Sequence, residues 1–67
     1  MEKGKVQWFS SEKGYGFIKP DNGGDDVFVH ISKVEKAGYT NLNKDQAINY
    51  ELQVKNGKSS ATDLQLL

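Results

Sequence analysis

The sequence predicts an all-β fold in which five short antiparallel strands close into a small barrel. Three observations support this: five segments alternate polar and apolar residues, turn sequences separate most of them, and one longer connection lies in mid-chain. A chain of 67 residues forms one domain, 1–67, and buries only about 60% of its unfolded surface. Closing the sheet removes exposed strand edges that so small a domain could not otherwise cover.

The predicted strands follow one another at residues 3–9, 15–20, 27–31, 47–54 and 61–66. Residues 10–14 link the first two strands, 21–24 form a hairpin loop after the only proline, and 56–57 form a tight turn between the last two. The connection over 32–46 has no sustained helical periodicity, so we expect at most one helical turn, at 32–34. This order of elements fits an OB-type Greek-key barrel.

The formal net charge of the chain is zero, because it contains nine lysines, nine acidic residues and no arginine. Residues 1–19 carry +2, from four lysines and two glutamates, whereas residues 20–35 carry −3, from one lysine and four acidic residues. A phosphate-facing surface is therefore expected mainly in the N-terminal third, with Lys5 and Lys13 as its cations. Such a surface neutralises few phosphates, so affinity for nucleic acid would need another source.

Several function classes are disfavoured by composition. The absence of cysteine excludes disulfides and thiolate metal sites, and no apolar run reaches the roughly 18 residues of a membrane span. The N-terminus lacks the apolar core of a signal peptide, so we expect an intracellular, cytoplasmic protein. With one histidine and no evident carboxylate pair, we expect neither an enzyme nor a bound metal or cofactor.

The hairpin predicted between the second and third strands sorts its side chains by type. Its antiparallel pairing opposes Tyr15 to His30, Gly16 to Val29, Phe17 to Phe28 and Ile18 to Val27. All the flat rings then lie on one face and the aliphatic side chains on the other. If the aliphatic side chains form the core, the rings must point outward.

An outward cluster of rings is typical of a surface that stacks on nucleic-acid bases, at about 1–3 kcal/mol per base. Residues two apart on a strand lie about 6.6 Å apart, which suits splayed bases of a single strand better than duplex bases about 3.4 Å apart. Gly14 and Gly16 keep the backbone low beside the rings. A single aromatic is more often part of a core, but two opposed pairs favour a binding platform.

Trp8 is ambiguous from the sequence alone. It lies two residues after Val6, which the alternation places in the core, so a regular strand would point both side chains inward. Either Trp8 is buried or a bulge turns its ring outward. We favour the outward orientation, because Phe9 then stays partly inward.

Three segments together resemble bacterial cold-shock proteins and the cold-shock domain of eukaryotic Y-box proteins, over essentially the whole chain. Residues 4–9 (GKVQWF) resemble the opening strand of that family, and residues 13–18 (KGYGFI) and 27–32 (VFVHIS) resemble its two ribonucleoprotein-type motifs. The resemblance implies a five-stranded barrel that binds single-stranded RNA and DNA, prefers pyrimidine-rich stretches and acts as a monomer. It also implies an RNA chaperone with roles in cold adaptation, transcription antitermination and translation.

Carried over by position, the nucleic-acid-binding residues are expected to be Lys5, Trp8, Phe9, Lys13, Tyr15, Phe17, Phe28, His30, Ile31 and Tyr39. The chain departs from the family pattern in places. Gln7 stands where lysine is common and Ile31 where phenylalanine is common, which removes one charge and one ring. A second interpretation remains open, in which the same aromatic patch binds an extended or proline-rich peptide.

Overall fold

The computed structural model describes all residues 1–67 and contains five β-strands and one short α-helix. The strands are β1 (Glu2–Ser10), β2 (Tyr15–Pro20), β3 (Val27–His30), β4 (Ala47–Lys55) and β5 (Lys58–Leu66), and the helix is α1 (Ile31–Lys36). The strands close into a barrel in the order β1-β2-β3-β5-β4. The predicted all-β barrel of OB type is therefore confirmed.

One strand contact departs from the expected antiparallel pattern. β3 pairs with β5 in parallel, at Phe28 and Ser60, whereas every other pairing is antiparallel. The parallel contact joins strands that are far apart in sequence, and it completes the barrel together with the β1–β4 pairing. The period-two pattern of each strand could not indicate it, since that pattern says nothing about which strands are neighbours.

The core consists mainly of aliphatic side chains, most of them on the inner faces of the strands. Val6, Ile18, Val29 and Ile48 are completely buried, and Tyr50 is the largest fully buried side chain. The core is completed by Val27, Val34, Leu42, Ala61 and Leu64. This confirms that the aliphatic side of the β2–β3 hairpin faces inward, as the alternation predicts.

The long connection between β3 and β4 begins with a helix at the predicted place, but this helix is longer than the single turn expected over 32–34. α1 has six residues, starts at Ile31, which was assigned to the third strand, and buries only Val34. Its amino end is capped by His30, whose Nδ1 accepts a hydrogen bond from the Ser32 N–H at 3.1 Å. A helix held by one buried residue and one cap carries too little periodicity to be detected. No helix of the structure has the length and apolarity needed to span a membrane.

β5 starts three residues earlier than predicted and contains a change of register. Residues 58–60 are polar, yet they pair with β4, opposite Lys55, Val54 and Gln53. Between Asn49 and Glu51 the pairing shifts, and Asp63 adopts a left-handed backbone with φ of 49°. This bulge brings Ala61 and Leu64 into the same core although they are three residues apart.

The buried phenol of Tyr50 makes stability sensitive to alkaline pH. Burial, assisted by Glu2 and Asp21, raises the pKa of Tyr50 above its ordinary value. Above about pH 10 the unfolded chain loses the phenol proton while the folded protein retains it, so this contribution to stability is complete below that pH and is lost above it. Tyr50→Phe should therefore lose less free energy of unfolding between pH 9 and 11 than the wild type, as measured by urea titration.

Tyr15→Phe, which removes a half-exposed phenol, is the matched control for that experiment. An alkaline loss in Tyr50→Phe as large as that of the wild type would contradict the assignment.

Candidate nucleic-acid interface

The pairing of β2 with β3 has the register that the sequence predicts. The observed pairs are Tyr15 with His30, Gly16 with Val29, Phe17 with Phe28 and Ile18 with Val27. Ile18, Val27 and Val29 are buried, whereas Phe17 and Phe28 are half-buried and His30 is exposed. The prediction that the rings face away from the core is confirmed.

Five rings form one continuous cluster on this outer face, which we call the aromatic platform: Trp8, Tyr15, Phe17, Phe28 and His30. Trp8 lies 5.4 Å from Tyr15 and 5.6 Å from Phe17, measured between ring centroids. Phe28 lies 5.8 Å from Tyr15, 5.9 Å from Phe17 and 6.4 Å from His30. Tyr15 and Phe28 are inclined by only 26°, whereas the other pairs are tilted or edge-on. Each ring thus supports its neighbours while part of the cluster stays open to solvent.

Trp8 joins the platform because β1 changes register beside it. Val6 pairs with Ile18, but Trp8 pairs with Phe17, so one additional residue of β1 is accommodated between them. The bulge leaves Val6 buried and turns Trp8 outward with 37% of its surface exposed, while Phe9 packs partly against the core. The outward orientation of Trp8 is confirmed.

Gly16 permits the close approach of β1 and β2 below the platform. A Cβ atom at Gly16 would collide with the backbone oxygen of Trp8 and lie 2.7 Å from the Cα of Phe9. These are backbone atoms of the neighbouring strand at the bulge, so no side-chain rotation could relieve the contact. Gly16 therefore lets β1 pack against β2 where Trp8 turns outward.

The end of the platform at His30 is held by the start of α1. The Ser32 N–H donates to Nδ1 of His30 at 3.1 Å, and the Ser32 hydroxyl lies 3.0 Å from the same nitrogen. The Ile31 N–H donates to the Gly14 carbonyl at 2.9 Å, which ties the helix to the β1–β2 turn. Because Nδ1 accepts the backbone N–H, the neutral ring carries its proton on Nε2. His30 is thus a fixed flat group and not a freely rotating side chain.

The remaining predicted site residues lie around the platform and not within it. Phe9 and Tyr39 are half-buried against the core, and the Tyr39 hydroxyl accepts a long hydrogen bond from the Leu66 N–H at 3.4 Å. Ile31 is half-buried at the first position of α1. Lys5 and Lys13 are exposed, Lys5 on β1 and Lys13 in the β1–β2 turn.

A groove beside Phe28 contains two lysines, Lys55 and Lys58, that the sequence did not point to. It has a volume of about 730 Å³ and lies between the β2–β3 loop and the β4–β5 hairpin. Asp25 and Asp26 line it on one side and Lys55 and Lys58 on the other, with Phe17 and Phe28 between them. The hairpin lysines are more than 25 residues from Phe28 in sequence, so only the parallel β3–β5 contact brings them to the platform.

Gln7 contacts one of these carboxylates. With its amide nitrogen facing Asp26, Gln7 donates to both carboxylate oxygens at 3.0 Å. A neutral amide satisfies hydrogen bonds of the carboxylate without cancelling its charge, so Asp26 keeps its negative charge within a groove that also contains Lys55 and Lys58.

Comparison with known proteins agrees with this architecture. A family model described as the 'Cold-shock' DNA-binding domain matches residues 2–67. A probable cold shock protein, y4cH, of Sinorhizobium fredii is 55% identical over 67 residues and is matched over 97% of each chain. Cold shock protein CspA of Rhizobium meliloti is 52% identical over 96% of each chain, and cold shock protein CspD of Bacillus subtilis is 44% identical over 96% of each.

The close packing at Gly16 can be tested by adding a single methyl group. Gly16→Ala should lower the free energy of unfolding by about 1–3 kcal/mol or more, because β1 must move away from β2 to admit the Cβ atom. Urea unfolding followed by circular dichroism measures this change.

Gly24→Ala is the control, since its Cβ atom would meet only the Asn22 side chain, at 3.2 Å. We expect that control to stay within about 0.5 kcal/mol of the wild type. Equal effects of the two substitutions would show that the close packing at Gly16 contributes nothing specific.

Proposed function

This chain belongs to the cold-shock domain family, and from that premise we propose that it binds single-stranded RNA and DNA by stacking unpaired bases on the aromatic platform. The observation that carries the proposal is the outward cluster of five rings on a barrel whose core, apart from Tyr50, is aliphatic. Exposing several rings together costs solubility unless the surface serves binding. Ring faces stack on bases of any sequence, which suits a protein that accepts many strands.

The geometry favours single strands over duplexes. Successive platform rings on β2, Tyr15 and Phe17, have centroids 6.2 Å apart, whereas stacked duplex bases are separated by about 3.4 Å. Bases must therefore separate to contact both rings, and bases in a duplex present their edges, not their faces. A strand with unpaired bases meets this requirement at no cost in base pairing.

Preferential binding to unpaired strands supports an RNA-chaperone role. A protein that binds the open strand but not the duplex shifts the equilibrium toward the open strand by mass action. Such an effect matters most in the cold, where RNA secondary structure is most stable, and it bears on transcription antitermination and on translation. We propose this role for the chain as a cytoplasmic monomer with no catalytic activity and a preference for pyrimidine-rich strands.

The individual contributions within this proposal follow from position. The five rings of the platform supply stacking. Lys5 on β1 and Lys13 in the β1–β2 turn are exposed and contact phosphates. Phe9, Ile31 and Tyr39 are half-buried and border the path of the strand with the part of each side chain that remains exposed.

Removing one platform ring tests the stacking proposal. Phe28→Ala or Phe17→Ala should weaken binding to oligothymidylate by roughly 5- to 150-fold, which corresponds to the loss of about 1–3 kcal/mol for one stacked base. Both variants should stay folded, because neither ring belongs to the buried core. Quenching of Trp8 fluorescence, from a ring 37% exposed within the platform, reports the binding.

Two controls accompany that experiment. Phe17→Tyr keeps the ring and should retain affinity, and Leu52→Ala removes an exposed apolar side chain outside the platform and should leave binding unchanged. If the alanine variants unfold without a separate loss of binding, the rings are structural and the proposal fails. If the wild type shows no response to oligonucleotide, the peptide-binding interpretation of the platform takes precedence.

Salt dependence separates stacking from charge attraction. A short oligothymidylate that engages only Lys5 and Lys13 should give a log–log slope of affinity against salt near about −1.4, from roughly −0.7 per phosphate on single strands. A slope steeper than about −4 would show that electrostatic attraction carries the binding. The measurement is a fluorescence titration at several salt concentrations.

A further inference from the structure

A second groove, next to the aromatic platform, has no part in stacking and concentrates positive charge. It has a volume of about 390 Å³ and is lined by Lys5, Lys19 and Lys44, together with Asp21 and Asp45. We call it the lysine groove. We propose that it binds the phosphodiester backbone of the nucleic-acid strand where the strand leaves the platform. Lys5 contacts the last phosphate of the stacked segment, and Lys19 and Lys44 contact the phosphates beyond it. This inference rests on the proposed function and extends the footprint of the strand.

The pairing of β1 with β2 places two of these lysines side by side. Lys5 and Lys19 are direct cross-strand partners, and both are exposed. Like charges opposite one another on neighbouring strands are destabilising. The only ion pair within 4.0 Å in the structure joins the Met1 amino group to Glu51, so no carboxylate forms an ion pair with either lysine. The two lysines therefore form a cationic site without a direct ion pair, which an anion would stabilise.

The third lysine is brought to the groove by a fixed segment of backbone. The Asp45 N–H donates to the Val6 carbonyl at 2.7 Å, and the Val6 N–H donates to the Gln46 carbonyl at 2.9 Å. Asp45 itself has a left-handed backbone with φ of 66°. These bonds attach residues 45–46 to β1, and Lys44 precedes them directly. Its charge is thus held near Lys5 although 39 positions separate the two lysines in sequence.

The groove continues the face of the platform. Lys19 follows Phe17 on β2 by two residues, so both side chains point outward about 6.6 Å apart. Phe17 stacks in the proposed complex, and a strand extending along β2 past Phe17 reaches Lys19 next. No aromatic residue lines the lysine groove, so it offers cations but no ring on which a base could stack.

The charge of the groove suits a phosphodiester. Three lysines and two aspartates give a net charge of +1, which favours one or two singly charged phosphates over a dense polyanion. Lysine acts on phosphate as a flexible point charge and requires no fixed geometry. The lining therefore fits the backbone of a strand whose bases are not recognised at this point.

The test compares two charge-neutralising double variants on strands of two lengths. Lys19→Gln/Lys44→Gln removes the proposed contacts, and Lys33→Gln/Lys36→Gln removes two lysines of α1 that line neither groove. Both variants change the net charge by −2. The probes are an oligothymidylate of about four nucleotides, which covers the platform, and one of about eight, within the site sizes of OB folds.

On the longer strand, the wild type should engage four lysines and give a salt slope near about −2.8, which falls to about −1.4 in Lys19→Gln/Lys44→Gln. Affinity for the longer strand should fall on the order of tenfold at low salt, while affinity for the short strand stays unchanged. The α1 double variant should match the wild type on both strands. Lys19→Gln alone should also raise the midpoint of urea unfolding slightly, because it removes the like-charge pair.

Equal slopes for the two double variants on the longer strand would overturn the lysine groove as a phosphate site. Equal losses on both strand lengths would also overturn it, because the lysines would then act on the platform and not beyond it. Failure of the wild type to bind either strand would instead overturn the proposed function, so the two failures are distinguishable.

Discussion

The antiparallel pairing of β2 with β3 is the constraint on which the fold and the candidate site both depend. Because strand side chains alternate, one register places Ile18, Val27 and Val29 in the core and leaves the rings opposed on the outer face. A slip by one residue would bury the rings and expose the aliphatic side chains. The core and the platform are thus two sides of one hairpin, so selection for either fixes the other.

The same economy explains the irregular features of β1. In a chain of 67 residues nearly every strand has one face in the core. The platform can therefore gain a ring from β1 only if a residue that alternation places on the core side turns outward. The bulge before Trp8 does this, and Gly16 admits the backbone of the bulge against β2. The Tyr15 and Phe17 rings then support the indole at 5.4 and 5.6 Å. The bulge interrupts the regular pairing of β1 with β2, and it lies where it adds a ring to the aromatic platform.

Features encoded within one hairpin could be predicted from the sequence, and features that depend on distant contacts could not. The register of β2 and β3 and their inward and outward faces follow from alternation and turn chemistry over a few residues. The outward orientation of Trp8 was favoured from the sequence but depends on a bulge that alternation alone does not reveal. The full length of the helix at Ile31–Lys36 could not be predicted, because one cap and one buried valine hold it and leave no sustained periodicity in the sequence. The parallel β3–β5 contact and the positions of Lys44, Lys55 and Lys58 depend on closure of the barrel. The sequence therefore located the rings of the platform but not the lysines that barrel closure brings beside it.

The separate positions of rings and lysines bear on how a strand would bind. The rings occupy the centre of the interface, and free lysines lie at its borders, in the lysine groove on one side and on the β4–β5 hairpin on another. Stacking at the centre responds weakly to salt, whereas phosphate contacts at the borders respond strongly. In the proposed complex, a short strand binds mainly by stacking, with Lys5 and Lys13 as its cationic contacts. Each added nucleotide that reaches a border then adds an electrostatic contribution that salt can remove. From the proposed complex, we expect a protein with no net charge to hold long unpaired strands more firmly than short ones and to release them as the salt concentration rises.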